Sequence, residues 1–153
     1  HTRGPILAIE ADEPTRMPFA RFERQTYARP FGEAGLYVGH YETEFDAATE
    51  VDPDEPRALD DGFRRAADET LATFLPQFAD ARPVDEWVGL RTVTPDGRPM
   101  VGETGVEGFI VAVGMTGQGV TLAPVAGQLL AERVETGAMP QAAASLSPAR
   151  FFE

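Results

Sequence analysis

Cysteine is absent from this 153-residue chain, and so is lysine. Without cysteine there is no disulfide, no thiolate metal site, no cysteine nucleophile and no cysteinyl link to a cofactor. Histidine occurs only as His1 and His40. Two histidines make a zinc site improbable without clustered carboxylates, and His40 reads as an ordinary strand residue, so no metal is expected. With two histidines and no Gly-x-Ser-x-Gly elbow, a Ser-His-Asp arrangement cannot be built either. All 13 basic residues are arginine, against 25 Asp and Glu, for a formal charge of −12. That balance argues against a nucleic-acid partner. It suits a halophilic protein, because dense carboxylates hold hydration in high salt while screening mutes their repulsion. A GC-rich genome would produce the same arginine bias. Among so many carboxylates no catalytic acid pair can be singled out.

Long hydrophobic runs are also lacking. Residues 108–131 carry no charge, but Gly114, Gly117, Gly119, Pro124 and Gly127 interrupt them and Thr and Gln dilute them, so a bilayer helix is not expected. The opening His1-Thr2-Arg3-Gly4 leads into a short apolar strand rather than a secretory h-region. A cytoplasmic protein follows as the expectation. Length and a 42% apolar share allow one domain, or one large piece of a bigger protein.

Apolar patterning predicts strands at 5–10, 22–31, 36–42, 86–93, 100–102 and 108–113. Gly32-Glu33-Ala34-Gly35 joins the second and third of these as a hairpin, and the acidic, proline-punctuated 46–56 reads as a surface loop. A helix is expected over 57–78, where Leu59, Phe63, Ala66, Ala67, Leu71, Phe74 and Leu75 recur at helical spacing. Thr94-Pro95-Asp96-Gly97 is a tight turn. Thr121 is the expected cap of a last helix, with Pro124 in its first turn and Gly137 closing it. Trp87 is expected in the core, and 141–153 shows little structure. The order of elements predicts an α+β fold with an antiparallel or mixed sheet and one flanking helix, not a series of βαβ units.

Two features could carry chemistry. Residues 111–132 combine a β-rich run, a glycine-punctuated turn and a helix, so free backbone N–H groups and a positive dipole end point at whatever lies above the turn. Such a turn either faces an anionic group or merely satisfies backbone geometry. It is not a complete dinucleotide fingerprint, because Leu122 stands where the third glycine belongs. Arg91, late in an apolar strand, needs an anionic partner. A ligand carboxylate and an internal Asp or Glu both qualify. Tyr27, on a strand, reads as a core-edge tyrosine.

Trp87-Val88-Gly89-Leu90-Arg91, Thr94-Pro95-Asp96-Gly97-Arg98-Pro99-Met100-Val101-Gly102, Val111-Ala112-Val113-Gly114 and Gly119-Val120-Thr121-Leu122-Ala123-Pro124 closely resemble the C-terminal portion of the D-amino-acid oxidase family of FAD-dependent oxidoreductases, which includes glycine oxidase and sarcosine oxidase. Arg3-Gly4-Pro5-Ile6-Leu7, Tyr27-Ala28-Arg29-Pro30 and Gly35-Leu36-Tyr37-Val38-Gly39 look like strands of its substrate domain. The resemblance implies that residues 1–90 form most of a substrate domain, that 91–140 form the closing strand and helix of an FAD-binding domain, and that 141–153 is a tail. By the same resemblance Arg91 grips a substrate carboxylate, Tyr27 adds a hydroxyl, and Gly114, Met115, Thr116, Gly117, Gln118, Gly119, Val120 and Thr121 lie against the flavin.

The implied reaction is hydride transfer from an amine-bearing carbon to flavin N5, followed by imine hydrolysis. Met115 stands where many relatives carry histidine, and Gly117 replaces a side chain that in some touches the substrate. The family's N-terminal Gly-x-Gly-x-x-Gly half is missing here. The implied partners are therefore a small carboxylate-bearing amine, the missing FAD-binding half or a second chain that supplies it, and further copies of this chain. Alone, the chain is expected to be inactive and to bind FAD weakly or not at all. A flavin-dependent 2-hydroxy-acid dehydrogenase and a non-catalytic module retaining the fold are the alternatives.

Overall fold

The computed structural model describes residues 2–41, 52, 54 and 58–152. The predicted 46–56 loop lies almost wholly outside the described residues. The chain divides into two compact units, one formed by Arg3–Glu44 with Asp52–Leu90, the other chiefly by Arg91–Glu153.

The first unit is a five-stranded sheet with one helix. Its strands are β1 (Thr2–Glu10), β2 (Ala20–Arg21), β3 (Thr26–Phe31), β4 (Gly35–His40) and β5 (Arg82–Arg91), in the order β2-β3-β4-β1-β5. The hairpin β3–β4 is antiparallel with Tyr27 opposite Gly39 and Phe31 opposite Gly35, and β1 runs antiparallel to β4 with Leu7 opposite Val38. The structure thus has the antiparallel α+β character that the order of elements predicts.

Helix α1 (Asp61–Phe74) covers one face of this sheet. It presents Phe63, Ala67 and Leu71, spaced to share one stripe, to Leu7, Ile9, Ala28, Leu36 and Val38. The two layers are also tied by a buried hydrogen bond of 2.7 Å between the Thr26 and Thr70 hydroxyls. The helix is shorter than the predicted 57–78, and both ends have a local cause. Asp60 caps the start, its Oδ1 accepting from the Phe63 amide at 2.8 Å. Pro76 disfavours helical geometry at the residue before it, and Leu75 turns out at φ −136° into a 3-10 turn over Pro76–Phe78. Asp60→Ala is expected to lower stability by about 1 kcal/mol, measured as a lower urea midpoint at unchanged slope.

On the other face of the sheet, Phe31 stacks on Tyr37 at 4.1 Å, the Arg29 guanidinium lies 4.4 Å above the Tyr37 ring, and Trp87 meets that ring edge-on at 5.4 Å. Trp87 is therefore not a core residue: it is 40% exposed. Period-2 alternation along β5 sends it to the face that α1 does not cover. The strand predicted from Phe22 starts only at Thr26, because Gln25 at φ 57° and the Phe22 amide bonding the Thr26 carbonyl at 2.8 Å form a turn there.

The second unit is built on a hairpin, β6 (Met100–Glu103) with β7 (Ile110–Val113), and on helix α2 (Gly119–Thr136). Buried Val101 anchors β6, and the Arg133 guanidinium of α2 pairs with Glu103. Gly137 ends α2 at φ 78°, its amide bonding the Arg133 carbonyl at 3.0 Å, the left-handed closure that glycine permits. The tail is ordered, contrary to the expectation for 141–153. Two 3-10 turns, Gln141–Leu146 and Pro148–Phe151, bury Ala143 and Pro148. Proline restricts the backbone and the Ser147 hydroxyl accepts from the Ala149 amide at 3.2 Å, so order arises without any apolar periodicity in the sequence.

Among the described residues no helix is long and apolar enough to cross a membrane, and no group of three metal-ligating side chains comes together.

Candidate functional site

The second unit brings Arg91 and the glycine turn together. A Cβ placed on Gly117 would stand 2.8 Å from Arg91 Cδ and 3.6 Å from its Nε. The arginine stem thus runs directly against the bare backbone of the turn, and any side chain at 117 would displace it. The turn itself is fixed from below. The Thr116 amide donates to the Thr92 carbonyl at 3.1 Å and the Gln118 amide to the Met115 carbonyl at 2.8 Å. Gly114 at φ 69°, Thr116 at φ 52° and Gly117 at φ 78° supply the reversals. The left-handed Thr116 is unusual for a β-branched residue, and its hydroxyl donates to the carbonyls of Gly97 and Gly114 at 3.3 and 3.2 Å.

From this turn the chain enters α2 at Gly119, not at a cap on Thr121. Gln118 is the cap residue, with no side-chain capping bond, and the Leu122 amide already bonds the Gln118 carbonyl at 3.0 Å. Thr121 is consequently the third helical residue and Pro124 the sixth, inside the helix. The compact 115–118 turn nucleates the helix earlier than a side-chain cap would. The amides of Gly119, Val120 and Thr121 precede the first intrahelical donor, the Leu122 amide, and the first turn carries no acidic residue to compete for the positive end of the dipole. Gln118, Val120 and Thr121 are exposed, whereas Met115 and Thr116 are half-buried.

Tyr27 belongs to the first unit. Its ring stacks on Phe19 at 5.3 Å and covers Gly39, where a Cβ would collide with it. Gly39 is the cross-strand partner of Tyr27, so the missing side chain is what lets the ring lie flat.

Sequence reasoning missed the support beneath the turn. Thr94 is buried, and its Cγ2 fills the space where a Cβ on Gly114 would sit, 2.5 Å away. The Thr94 hydroxyl reaches the Arg98 carbonyl at 2.6 Å and Asp96 Oδ1 at 3.1 Å. The motif Thr-Pro-Asp-Gly was the available signal. It does close a turn, the Gly97 amide bonding the Thr94 carbonyl at 3.0 Å, but its two polar side chains also do structural work outside that turn.

Asp96 is paired with Arg150 of the tail at 2.8 Å. The bonds from the Arg150 guanidinium hold its carboxyl well below the usual carboxylate range, with the Arg98 amide and the Thr94 hydroxyl adding to them against the opposing effect of desolvation. A carboxyl whose folded pKa is depressed stabilises fully above its unfolded value, about 3.9, and loses that contribution as pH falls through the folded value. The tail is expected to stay docked at pH 4, read from the Phe151 ring resonances. Asp96→Asn should release it at all pH values.

Residues 1–133 match the family of FAD dependent oxidoreductases designated DAO. The chain is 39% identical over 94 residues to a D-amino acid dehydrogenase of Methylobacterium nodulans, covering 60% of this chain and 22% of that protein. It is 40% identical over 64 residues to a glycine oxidase of Pseudomonas aeruginosa, covering 41% of this chain and 18% of the relative. Among solved structures it is similar to glycine oxidase from Geobacillus kaustophilus, with a TM-score of 0.74 at 26% identity over 95% of this chain and 37% of that one. It therefore spans less than two fifths of the length of each of these proteins. Together with the matching fold, the match over residues 1–133 settles the family: the chain belongs to the DAO family of FAD-dependent oxidoreductases.

Proposed function

We propose that this chain is the substrate-binding and flavin-closing portion of an FAD-dependent oxidoreductase that oxidises a small amino acid, of the glycine, sarcosine or D-amino-acid kind, at its amine-bearing carbon. The observation that carries this reading is the packing of the Arg91 stem under Gly117, which sets the side chain proposed to hold the carboxylate beside the start of α2. The names of the relatives, glycine oxidase and D-amino acid dehydrogenase, support the substrate class.

The residues present fit a flavin at 114–121. The glycines at 114 and 117 admit the Thr94 methyl and the Arg91 stem, while Gln118, Val120 and Thr121 at the helix start are exposed, so the first amides of α2 and its dipole would favour negative charge on a flavin held there. Bound FAD would supply the two-electron acceptor, taking a hydride from the amine-bearing carbon. Arg91 would hold the carboxylate through two parallel N–H bonds, which fixes where that carbon sits. If the amine binds neutral, its N–H proton leaves to solvent as the C=N bond forms, and water then hydrolyses the imine. No acid or base from this chain is required, and none is assigned.

The nucleotide-binding half would come from a longer polypeptide or a second chain. Two facts support that: the short span relative to the family, and the surface of α2, where Val120 is 96% and Val134 71% exposed. Apolar exposure on this scale suits a helix that packs against further protein. The test is anaerobic reduction of the complete, FAD-loaded protein. Bleaching of the visible flavin band by glycine, sarcosine or D-amino acids is expected. Bleaching by 2-hydroxy acids alone would replace the substrate class, and bleaching by neither would point to a non-catalytic module.

A further inference from the structure

Arg150 lies beyond the residues matched to the family, in the tail, with its side chain only 17% exposed. Its guanidinium uses all five donors. Nε bonds Asp96 Oδ2 at 2.8 Å, one terminal nitrogen bonds Asp96 Oδ1 at 3.1 Å and the Arg98 carbonyl at 2.8 Å, and the other bonds the Leu146 and Ser147 carbonyls, each at 2.9 Å. A guanidinium has five N–H groups, so nothing is left for a ligand. Arg150 can only position other groups.

What it holds leads to the proposed site in three contacts. Asp96 Oδ1 accepts from the Arg98 amide and from the Thr94 hydroxyl, both at 3.1 Å. Thr94 in turn packs its methyl against Gly114. Gly114 opens the turn whose Thr116 and Gln118 amides are bonded from within the same unit, and whose Gly117 lies on the Arg91 stem. We propose that Arg150 is a positioning residue, fixing through Asp96 and Thr94 the glycine turn that seats Arg91 for a substrate carboxylate. This rests on the reading of Arg91 given above. Arginine is required, since a lysine offers three donors without the planar fork.

The experiment uses the full-length, FAD-loaded oxidoreductase with Arg150→Met, Arg150→Lys, Asp96→Asn and, as a control, Arg133→Gln, which breaks an arginine–carboxylate pair of the same unit that does not involve Asp96. Arg150→Met is expected to raise KM for the amino-acid substrate at least fivefold with kcat within twofold, because a carboxylate contact made equally in ground and transition states acts on KM. It should also speed hydrogen exchange of the Thr116 and Gln118 amides at least tenfold while leaving β3 and β4 unchanged. Asp96→Asn should reproduce both effects, Arg150→Lys should show them in part, and Arg133→Gln should show neither. Unchanged exchange at Thr116 and Gln118 in Arg150→Met and Asp96→Asn overturns the proposal, as does an equal response to Arg133→Gln. If Arg91→Lys itself leaves KM untouched, the reading of Arg91 has failed. The exchange rates then still decide whether the tail holds the turn.

Discussion

Arg91→Lys, in the full-length FAD-loaded protein, should raise KM for a carboxylate-bearing substrate by about 10- to 100-fold, while kcat falls by less than about threefold. A hydrogen bond to a charged group contributes about 1.5–3 kcal/mol, and each 1.4 kcal/mol is tenfold in affinity. Lysine keeps the charge but not the fork, so it loses the second bond and the fixed angle of the carboxylate. It also loses packing. The Arg91 stem is held against Gly117 by contact at Cγ, Cδ and Nε, and the polar end is aimed by that contact; a flexible ammonium has no planar group at Nε to rest on the turn. The control is a substrate analogue with an amide in place of the carboxylate. Arg91→Lys should bind it about as well as the parent does, within about 1 kcal/mol, since the lost interaction is specific to the acid group. An unchanged KM for the acid removes Arg91 from the site.

The fold was legible where one signal dominated. In β3 and β4 the buried Ala28, Leu36 and Val38 that pack with α1 alternate with Tyr27, Arg29 and Tyr37, and the glycines between the strands mark the hairpin. The stripe Phe63, Ala67, Leu71 located α1. The misses share a different cause, contacts distant in sequence. Nothing local in Ala142-Ala143-Ala144 or Ser147-Pro148-Ala149-Arg150 shows that Arg150 will meet a carboxylate 54 residues earlier. Trp87 sits in an apolar stretch and reads as core, yet the strand register places it beside Tyr37 on the face that α1 leaves uncovered. The start of α2 was misplaced because a threonine before a helical pattern suggests a cap, whereas here two left-handed residues, Thr116 and Gly117, turn the chain and start the helix themselves.

The candidate site divides along the same line. Its residue types were visible, because Arg91 in an apolar strand and a glycine turn before a helix are local features. That the two touch follows from the return of β7 alongside β6, which carries the turn back to Thr92 and Thr94.

Gly114→Ala should be the most damaging single-methyl change in the second unit, lowering stability by about 2–5 kcal/mol through two separable effects. Gly114 has φ 69°, a left-handed conformation that costs an L-residue about 1–2 kcal/mol. Its new Cβ would also stand 2.5 Å from Thr94 Cγ2. Thr94 cannot yield cheaply, being buried and tied through its hydroxyl to the Arg98 carbonyl and Asp96, so overpacking adds about 1–3 kcal/mol. Gly97→Ala supplies the comparison. Gly97 has the same φ of 69° but open space where its Cβ would go, so it should show only the backbone part. Thr94→Ser removes the offending methyl and keeps both hydroxyl bonds. In that background Gly114→Ala should recover the steric part and retain the backbone part, giving a coupling energy of about 1–3 kcal/mol between positions 94 and 114. Additive effects in this double-mutant cycle, or equal losses in Gly97→Ala and Gly114→Ala, would show that Thr94 does not support the turn. The contact through which the tail is proposed to reach Arg91 would then be absent.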